Sequence, residues 1–205
     1  PMNDYPTPQA RTVTIRDALA EAVDLYRGGR YDECTALCRQ ILTQRPLQSH
    51  ALHLLGVVEI QRGNHEAAVP FFEQALSQQD NNAEFHSNFG SLLSTLKRLP
   101  ESLSHLRRAV ALKADYPEAY GNLGSVLLEQ GEFEEALDVF RKASTLNANL
   151  ASAFVGIGCA EKQLLHFPEA AAAFRKAISI QPDNIDAHCN LSMVLLQMGA
   201  FREGW

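Results

Sequence analysis

The sequence predicts an all-α protein built as a regular array of stacked helical hairpins, and two periodic features indicate this fold class. One glycine and one alanine each recur with a period of 34 residues. The positions are Gly56, Gly90, Gly124 and Gly158 for the glycine, and Ala75, Ala109, Ala143 and Ala177 for the alanine. A helix-turn-helix unit of this length cannot bury its own apolar face, so its neighbours must complete the core. Function is therefore expected on the surface that the stacked hairpins create.

Composition argues against several functional classes. Hydrophobic residues make up 46% of the 205 residues, and 24 acidic against 18 basic residues give a formal charge of −6. The basic residues form no cluster that could neutralise phosphates, which argues against nucleic-acid binding. No stretch approaches the roughly 18 to 20 apolar residues of a membrane span, so no membrane insertion is expected. The start lacks the apolar centre of a signal peptide and the cysteines show no CxxC spacing, which together predict a cytoplasmic protein with reduced thiols.

The repeat units follow one another without insertion or deletion. A polar lead-in, residues 1–14, precedes them and is expected to be flexible. In the first unit Glu21 stands where later units place an apolar residue, as expected of a solvated N-terminal unit. The last unit stops early in its second helix, which indicates either a fragment of a longer protein or an end that a partner copy covers. The predicted units are 15–48, 49–82, 83–116, 117–150, 151–184 and a partial unit, 185–205.

Three prolines fall near the start of second helices. Pro100 and Pro168 occupy the same repeat position just after the turn, where a missing N–H group costs little, so they are expected to begin helices. Pro70 lies about one turn further into its unit and would delete a helical hydrogen bond. We expect a kink or a late helix start in the second repeat, residues 49–82.

These units resemble the tetratricopeptide repeat, whose pattern places an aromatic residue, Leu-Gly, Ala, Phe and Pro at set offsets. The resemblance covers about 190 residues, from Ile15 onward. It implies a right-handed α-α superhelical solenoid of helix-turn-helix repeats, in which the first helices line a concave groove. The glycine and alanine positions lie where the two helices of a hairpin approach closely, so larger side chains are excluded there. The fourth unit matches the pattern best, with Tyr120, Leu123, Gly124, Ala136 and Phe140.

Within that groove, one position of the first helices carries asparagine in three of five units. The residues at this position are Leu54, Asn88, Asn122, Gly156 and Asn190. An asparagine amide both donates and accepts hydrogen bonds, which suits it to hold the backbone of an extended peptide. The pattern is similar to the asparagine ladder in the repeat region of O-GlcNAc transferase-like proteins, although Leu54 and Gly156 interrupt it. The alternative is that these asparagines cap or bridge neighbouring repeats.

Neighbouring positions predict which side chains contact a bound peptide. Serines occupy the middle of the groove and valines lie toward its ends. The asparagine amides are predicted to hold the peptide backbone, and the serines and valines to select its side chains. The Lys/Asn clamp with which chaperone-binding relatives hold a C-terminal carboxylate is absent, which argues against a chaperone-tail receptor. The predicted contact residues are Asn88, Asn122, Asn190, Ser87, Ser91, Ser125, Val57 and Val155.

The sequence contains no recognisable catalytic or metal-binding constellation. No Walker loop, G-x-S-x-G or H-E-x-x-H motif occurs. His50 and His53 share a helical face, but no carboxylate at helical spacing completes a zinc site. Cys34 and Cys38 also share a face and are expected to pack in the core, because third and fourth ligands are missing. We therefore predict no enzyme activity, no cofactor and no metal site within these residues.

The leading hypothesis is a non-catalytic interaction scaffold that binds an extended peptide or a partner protein in the concave groove. One alternative is the acceptor-recognition region of a larger glycosyltransferase whose catalytic domain lies beyond residue 205. Residues 199–205 favour it, because they resemble the closing repeat of bacterial proteins with that organisation. A second alternative is a self-assembly module that forms homo-oligomers through the exposed C-terminal hairpin.

Overall fold

The computed structural model describes residues 14–199, and in this range the chain forms eleven α-helices and no β-strand. The all-α prediction is confirmed. The helices fall into two compact units, each of which contains more than one repeat. From here on, the first unit is the one that ends at Gln79 and the second unit is the one that starts at Asp80. Residues 1–13 and 200–205 lie outside the described part, and with them most of the predicted lead-in and the end of the C-terminal hairpin. The helices are α1 (Ile15–Arg27), α2 (Tyr31–Gln44), α3 (Ser49–Gln61), α4 (His65–Gln78), α5 (Ala83–Thr95), α6 (Leu99–Leu112), α7 (Pro117–Gln130), α8 (Phe133–Leu146), α9 (Ala151–Gln163), α10 (Phe167–Ile180) and α11 (Ile185–Gln197).

One period of the sequence corresponds to one helical hairpin, because successive first helices begin 34 residues apart. Pro100 and Pro168 lie in the first turn of α6 and α10, as predicted. Pro70 lies inside α4, which begins at His65, the same repeat position as the other second helices. The late helix start is therefore wrong, and the kink that was its alternative stays a prediction. Pro70 is exposed, so water can hydrate the carbonyl group that its missing N–H leaves unbonded.

A residue in the left-handed conformation closes every first helix. The residues with positive φ are Gly29, Gly63, Lys97, Gly131, Leu165 and Gly199. Among these six, Lys97 and Leu165 carry a β-carbon, with φ values of 61° and 64°. The left-handed conformation costs such a residue roughly 1–2 kcal/mol, so these two turns are strained.

The core of the first unit contains both cysteines of α2. Cys34 and Cys38 are fully buried and pack with Leu25 and Ile41, which confirms their predicted packing role. Burial raises the pKa of the Cys38 thiol to about 12, and the neighbouring Cys34 adds to the effect. The thiol therefore stays protonated at neutral pH. Glu21 on α1 is exposed, in agreement with a solvated first helix.

In the second unit, the repeated glycines lie against large side chains of the following helix. A β-carbon at Gly124 would lie 2.8 Å from the ring of Phe140, and one at Gly158 would lie 2.6 Å from that of Phe174. Both rings are almost fully buried. Larger side chains at the glycine positions would force the helices apart, so the predicted close approach within each hairpin is confirmed.

One buried charge ties three helices of the second unit together. Glu161 on α9 is 3% exposed. Its Oε1 accepts a hydrogen bond from Arg141 Nη2 of α8 at 3.0 Å, and its Oε2 lies 2.9 Å from His166 Nδ1, just before α10. These two partners offset the cost of burying the carboxylate.

Candidate functional site

The candidate site lies on the first helices of the second unit. In this unit α5 contacts α7, α7 contacts α9, and α9 contacts α11, so the four helices lie side by side. We call their shared surface the first-helix face. Val57, the predicted contact in the first unit, is a half-buried residue of α3 and is not part of this face. The face is defined by the exposed or half-buried residues Asn88, Ser91, Asn122, Ser125, Val155, Cys159, Asn190 and Met193.

Asn122 borders a pocket in the first-helix face. The pocket has a volume of about 200 Å³ and lies between α7 and α9. Asn122 is half-buried, and within residues 14–199 its side-chain amide has no hydrogen-bond partner. The amide is therefore available to a ligand that enters the pocket. The lining residues are Glu118, Gly121, Asn122 and Ser125 of α7, Phe140 of α8, and Leu150 and Ser152 at the start of α9.

Gly121 and Phe140 line the pocket, and Gly156 lies against the same phenylalanine ring. A β-carbon at Gly121 would meet no heavy atom within 4 Å, so the absent side chain leaves open space. A β-carbon at Gly156 would instead lie 2.4 Å from the ring of Phe140. This ring, which also contacts Gly124, supplies the apolar floor of the pocket. Gly156 interrupts the asparagine pattern because the Phe140 ring takes the space of its side chain.

The other two asparagines have partners within the protein. Lys162 Nζ donates to Asn190 Oδ1 at 2.6 Å, and Asn190 Nδ2 donates to the Asp186 carbonyl oxygen at 2.9 Å. Asn190 therefore links α9 and α11, which is the bridging role named as the alternative. Asn88 is half-buried and also takes part in an interaction within the chain. Of the three, Asn122 is the asparagine whose amide is open to a ligand in the described structure.

The three predicted serines differ in accessibility. Ser91 and Ser125 are exposed. The Ser125 hydroxyl donates to the Gly121 carbonyl oxygen at 3.0 Å, which leaves its lone pairs able to accept a hydrogen bond from a ligand. Ser87 is 1% exposed, and its side chain is hydrogen-bonded to that of Tyr116. The prediction that Ser87 selects a ligand side chain is wrong, because its hydroxyl is buried in this contact.

Val155 lies between the face and the core. It is half-buried and packs against the cluster that contains Phe174 and Val194. Part of its side chain is therefore fixed by packing, and the remainder forms an apolar wall of the first-helix face.

The first helices of the second unit carry mostly negative charge. α5, α7, α9 and α11 together contain five carboxylates and one lysine. Two of the carboxylates form ion pairs, at 2.9 and 3.0 Å. Burial, followed by the nearby carboxylates of Glu84 and Glu118, raises the pKa of the Tyr116 hydroxyl. The carboxylates without an ion pair in the described range share one repeat position and are Glu84, Glu118 and Asp186.

Of the residues that line the pocket, the sequence predicts Asn122 and Ser125 as ligand contacts and does not predict the others as contacts. Two signals were present. Gly121 stands in the interior of α7, where glycine costs roughly 0.5–1 kcal/mol relative to alanine and no packing contact requires it. Glu118 belongs to a series of acidic residues with the repeat period. No sequence pattern identifies Leu150 or Ser152 as lining residues.

Two almost fully buried histidines lie in packed surroundings. His53 is 7% exposed, and its ring meets that of Phe72 edge-on, with centroids 5.3 Å apart. His86 is 4% exposed, and its Nδ1 lies 2.9 Å from Nδ1 of His105. Within residues 14–199, no group of three or more His, Cys, Asp or Glu side chains is arranged to hold a metal ion. None of the helices in that range combines the length and apolar character needed to cross a membrane.

Comparison with known protein families gives a consistent result. Three family models, each described as a tetratricopeptide repeat, match residues 19–84, 81–149 and 151–184. A search of curated proteins finds no significant match.

Several solved structures are similar to this chain. YrrB, described as a TPR protein with an unusual peptide-binding site, is 25% identical, with 86% of this chain and 91% of YrrB covered at a TM-score of 0.71. MamA is also 25% identical, with 73% and 88% covered at a TM-score of 0.67. PilW, described as a type IV pilus biogenesis factor, is 22% identical, with 95% and 90% covered at a TM-score of 0.84. The likeness to PilW is one of fold alone.

Proposed function

This chain belongs to the tetratricopeptide repeat family, and we propose that it is a non-catalytic scaffold that binds an extended peptide segment of a partner protein. The peptide lies on the first-helix face of the second unit. The Asn122 amide is the main contact to its backbone, and Ser91, Ser125 and Val155 contact its side chains. The scaffold positions the partner and carries out no reaction on it.

The open amide of Asn122 beside the pocket is the observation that carries this proposal. A peptide bond offers one N–H donor and one C=O acceptor, which match the two ends of an asparagine amide. An extended peptide presents these groups whatever its sequence, and its side chains point alternately to opposite sides. A peptide whose backbone is hydrogen-bonded to Asn122 can therefore direct one side chain into the neighbouring pocket.

The likeness to YrrB supports a peptide as the class of ligand. YrrB is described as having an unusual peptide-binding site, and nine-tenths of its length aligns with this chain. The negative charge of the first helices further favours a ligand with cationic character.

The proposal is tested by selecting peptides and then measuring their affinity. Short random peptides displayed on phage are enriched on the full chain and titrated calorimetrically onto the wild type and two variants. Asn122→Ala is expected to weaken binding about tenfold, because losing these hydrogen bonds costs roughly 1–2 kcal/mol. Asn81→Ala is the matched control, since Asn81 is exposed in the segment before α5 and does not line the pocket. Equal affinity of the wild type and Asn122→Ala would contradict the proposal.

The alternatives from the sequence stay predictions, as does the cytoplasmic location. An acceptor-recognition role in a glycosyltransferase requires a nucleotide-sugar-binding domain encoded beyond residue 205. Self-assembly requires a molecular mass that rises with protein concentration in sedimentation equilibrium.

A further inference from the structure

We infer that the pocket between α7 and α9 receives a lysine or arginine side chain of the bound peptide, with the Glu118 carboxylate as its charge partner. The inference rests on the proposed function, because it names the side chain that the peptide inserts beside Asn122. Three features of the pocket support it: its size, its lining and its charge.

The size of the pocket fits one long side chain. Its volume of about 200 Å³ is several times the roughly 30 Å³ of one water molecule. It is also smaller than the roughly 300–1,000 Å³ of typical small-molecule pockets. A single side chain is therefore a better match than either a lone water or a separate small molecule.

The lining of the pocket has an apolar part and a polar part. Phe140 and Leu150 provide apolar surface, while Glu118, Ser125 and Ser152 carry hydrogen-bonding groups. Lysine and arginine have the same two-part character, because they bury an alkyl stem and keep a charged head in polar surroundings. Glu118 is exposed at the edge of the pocket, so its carboxylate can reach the head group of an inserted side chain, and an acidic side chain there would be repelled.

The charge of the pocket is not balanced within the protein. Glu118 has no ion pair among residues 14–199, and the one lysine of the four first helices, Lys162, donates to Asn190. Acidic residues at helix N-termini need no ligand in general, because they complement the helix dipole, and this accounts for Glu84 and Asp186. Glu118 differs from these two because it lines the pocket. A cationic head group there would lie beside an unpaired carboxylate.

The experiment uses pools of short random peptides whose central residue is fixed as lysine, arginine, norleucine or glutamate. Norleucine keeps an alkyl stem like that of lysine but lacks the ammonium group. We expect the lysine and arginine pools to bind the full chain at least about fivefold more tightly than the norleucine pool, with a preference that weakens as salt screens the charges. Glu118→Gln should remove this preference and retain the binding that all pools share. Glu84→Gln is the matched control, because it removes a carboxylate at the same repeat position outside the pocket, and it should keep the preference.

A second variant tests the space inside the pocket. The Gly121→Leu variant should bind the lysine pool no more tightly than the norleucine pool, because the new side chain fills the pocket. A β-carbon at Gly121 meets no atom within 4 Å, so the start of the new side chain causes no clash, and far-UV circular dichroism checks that the variant folds.

The outcomes separate this inference from the proposed function. Equal binding of all pools by the wild type overturns the inference and leaves peptide binding in place, as does a cationic preference that survives Glu118→Gln. If no pool binds the wild type, the proposed function is wrong and the inference falls with it.

Discussion

The ring of Phe140 occupies the space that a side chain on Gly156 would need, with ring carbons 2.4 Å from the position of a β-carbon there. Phe140 lies on α8 and Gly156 on α9, so the contact joins two consecutive hairpins. The same ring lies against Gly124 of α7, and it is 2% exposed. The ring is thus confined by three helices, and it also forms the floor of the proposed peptide pocket.

We predict that Gly156→Ala destabilises the protein by roughly 1–3 kcal/mol, because the methyl group overpacks a site whose neighbours have no room to move. Gly121→Ala is the control within the same pair of hairpins. It is expected to raise the free energy of unfolding by roughly 0.5–1 kcal/mol, because alanine favours the helix and meets nothing. Urea denaturation monitored by circular dichroism measures both changes. A harmless Gly156→Ala would show that the ring is free to move.

A double-mutant cycle tests whether the Phe140 ring causes the effect. Leu106 occupies the repeat position equivalent to Phe140, and there Asn122, the equivalent of Gly156, carries a full side chain. Phe140→Leu should therefore reduce the cost of Gly156→Ala, with a coupling energy above about 0.5 kcal/mol. Strictly additive effects would exclude a direct clash.

The fold was largely predictable from the sequence, because the period fixes both the hairpin length and the close contacts. Gly124 and Gly158 could be assigned to the helix contact since only small residues fit there. The site was less predictable, because the repeat position of a residue does not reveal its partners. Ser87 is buried and hydrogen-bonded to Tyr116, and Asn190 accepts a hydrogen bond from Lys162.

Substitutions of Leu165 test whether the left-handed turns are strained. Leu165 has φ 64° and is 72% exposed, so the backbone conformation is its main distinguishing feature. Leu165→Gly is expected to stabilise the protein by about 1 kcal/mol, because removing the β-carbon relieves more strain than glycine adds in unfolded-chain entropy. Leu165→Ala removes the same apolar surface but keeps the β-carbon, so it should change stability by less than about 0.5 kcal/mol. Equal gains in thermal unfolding for both variants would assign the effect to the exposed side chain.

Arg141 should contribute more to stability than a surface arginine with a similar ion pair. Arg141→Ala leaves the buried Glu161 carboxylate without its guanidinium partner, which is expected to cost about 3 kcal/mol. Arg107→Ala is the matched control, because the Arg107 pair with Glu135 has a distance of 2.9 Å and both side chains are about half exposed. Its loss should cost at most about 1 kcal/mol. Similar costs for the two variants in urea denaturation would mean that water reaches Glu161.

The buried His53 is expected to lower the free energy of unfolding of the first unit in acid. Burial, followed by the nearby His50, lowers the pKa of His53 from 6.5 to about 3. Above pH 6.5 the imidazole is neutral in both the folded and the unfolded chain, so it adds no pH dependence there. As the pH falls from 6.5 toward 3, the unfolded chain binds a proton that the folded chain does not, and stability decreases.

At about pH 4.5, two units below the ordinary pKa of 6.5, the loss due to His53 should be on the order of 3 kcal/mol, since one pKa unit corresponds to about 1.4 kcal/mol. Burial also lowers the pKa of His105 in the second unit, so the measurement must be local. Hydrogen exchange of the α3 and α4 amides, compared between neutral and acidic pH, provides it. His53→Leu should remove this part of the pH dependence, whereas His65→Gln, a change at the first residue of α4, should keep it. An unchanged pH dependence in His53→Leu would mean that other groups, and not the buried imidazole, destabilise the first unit in acid.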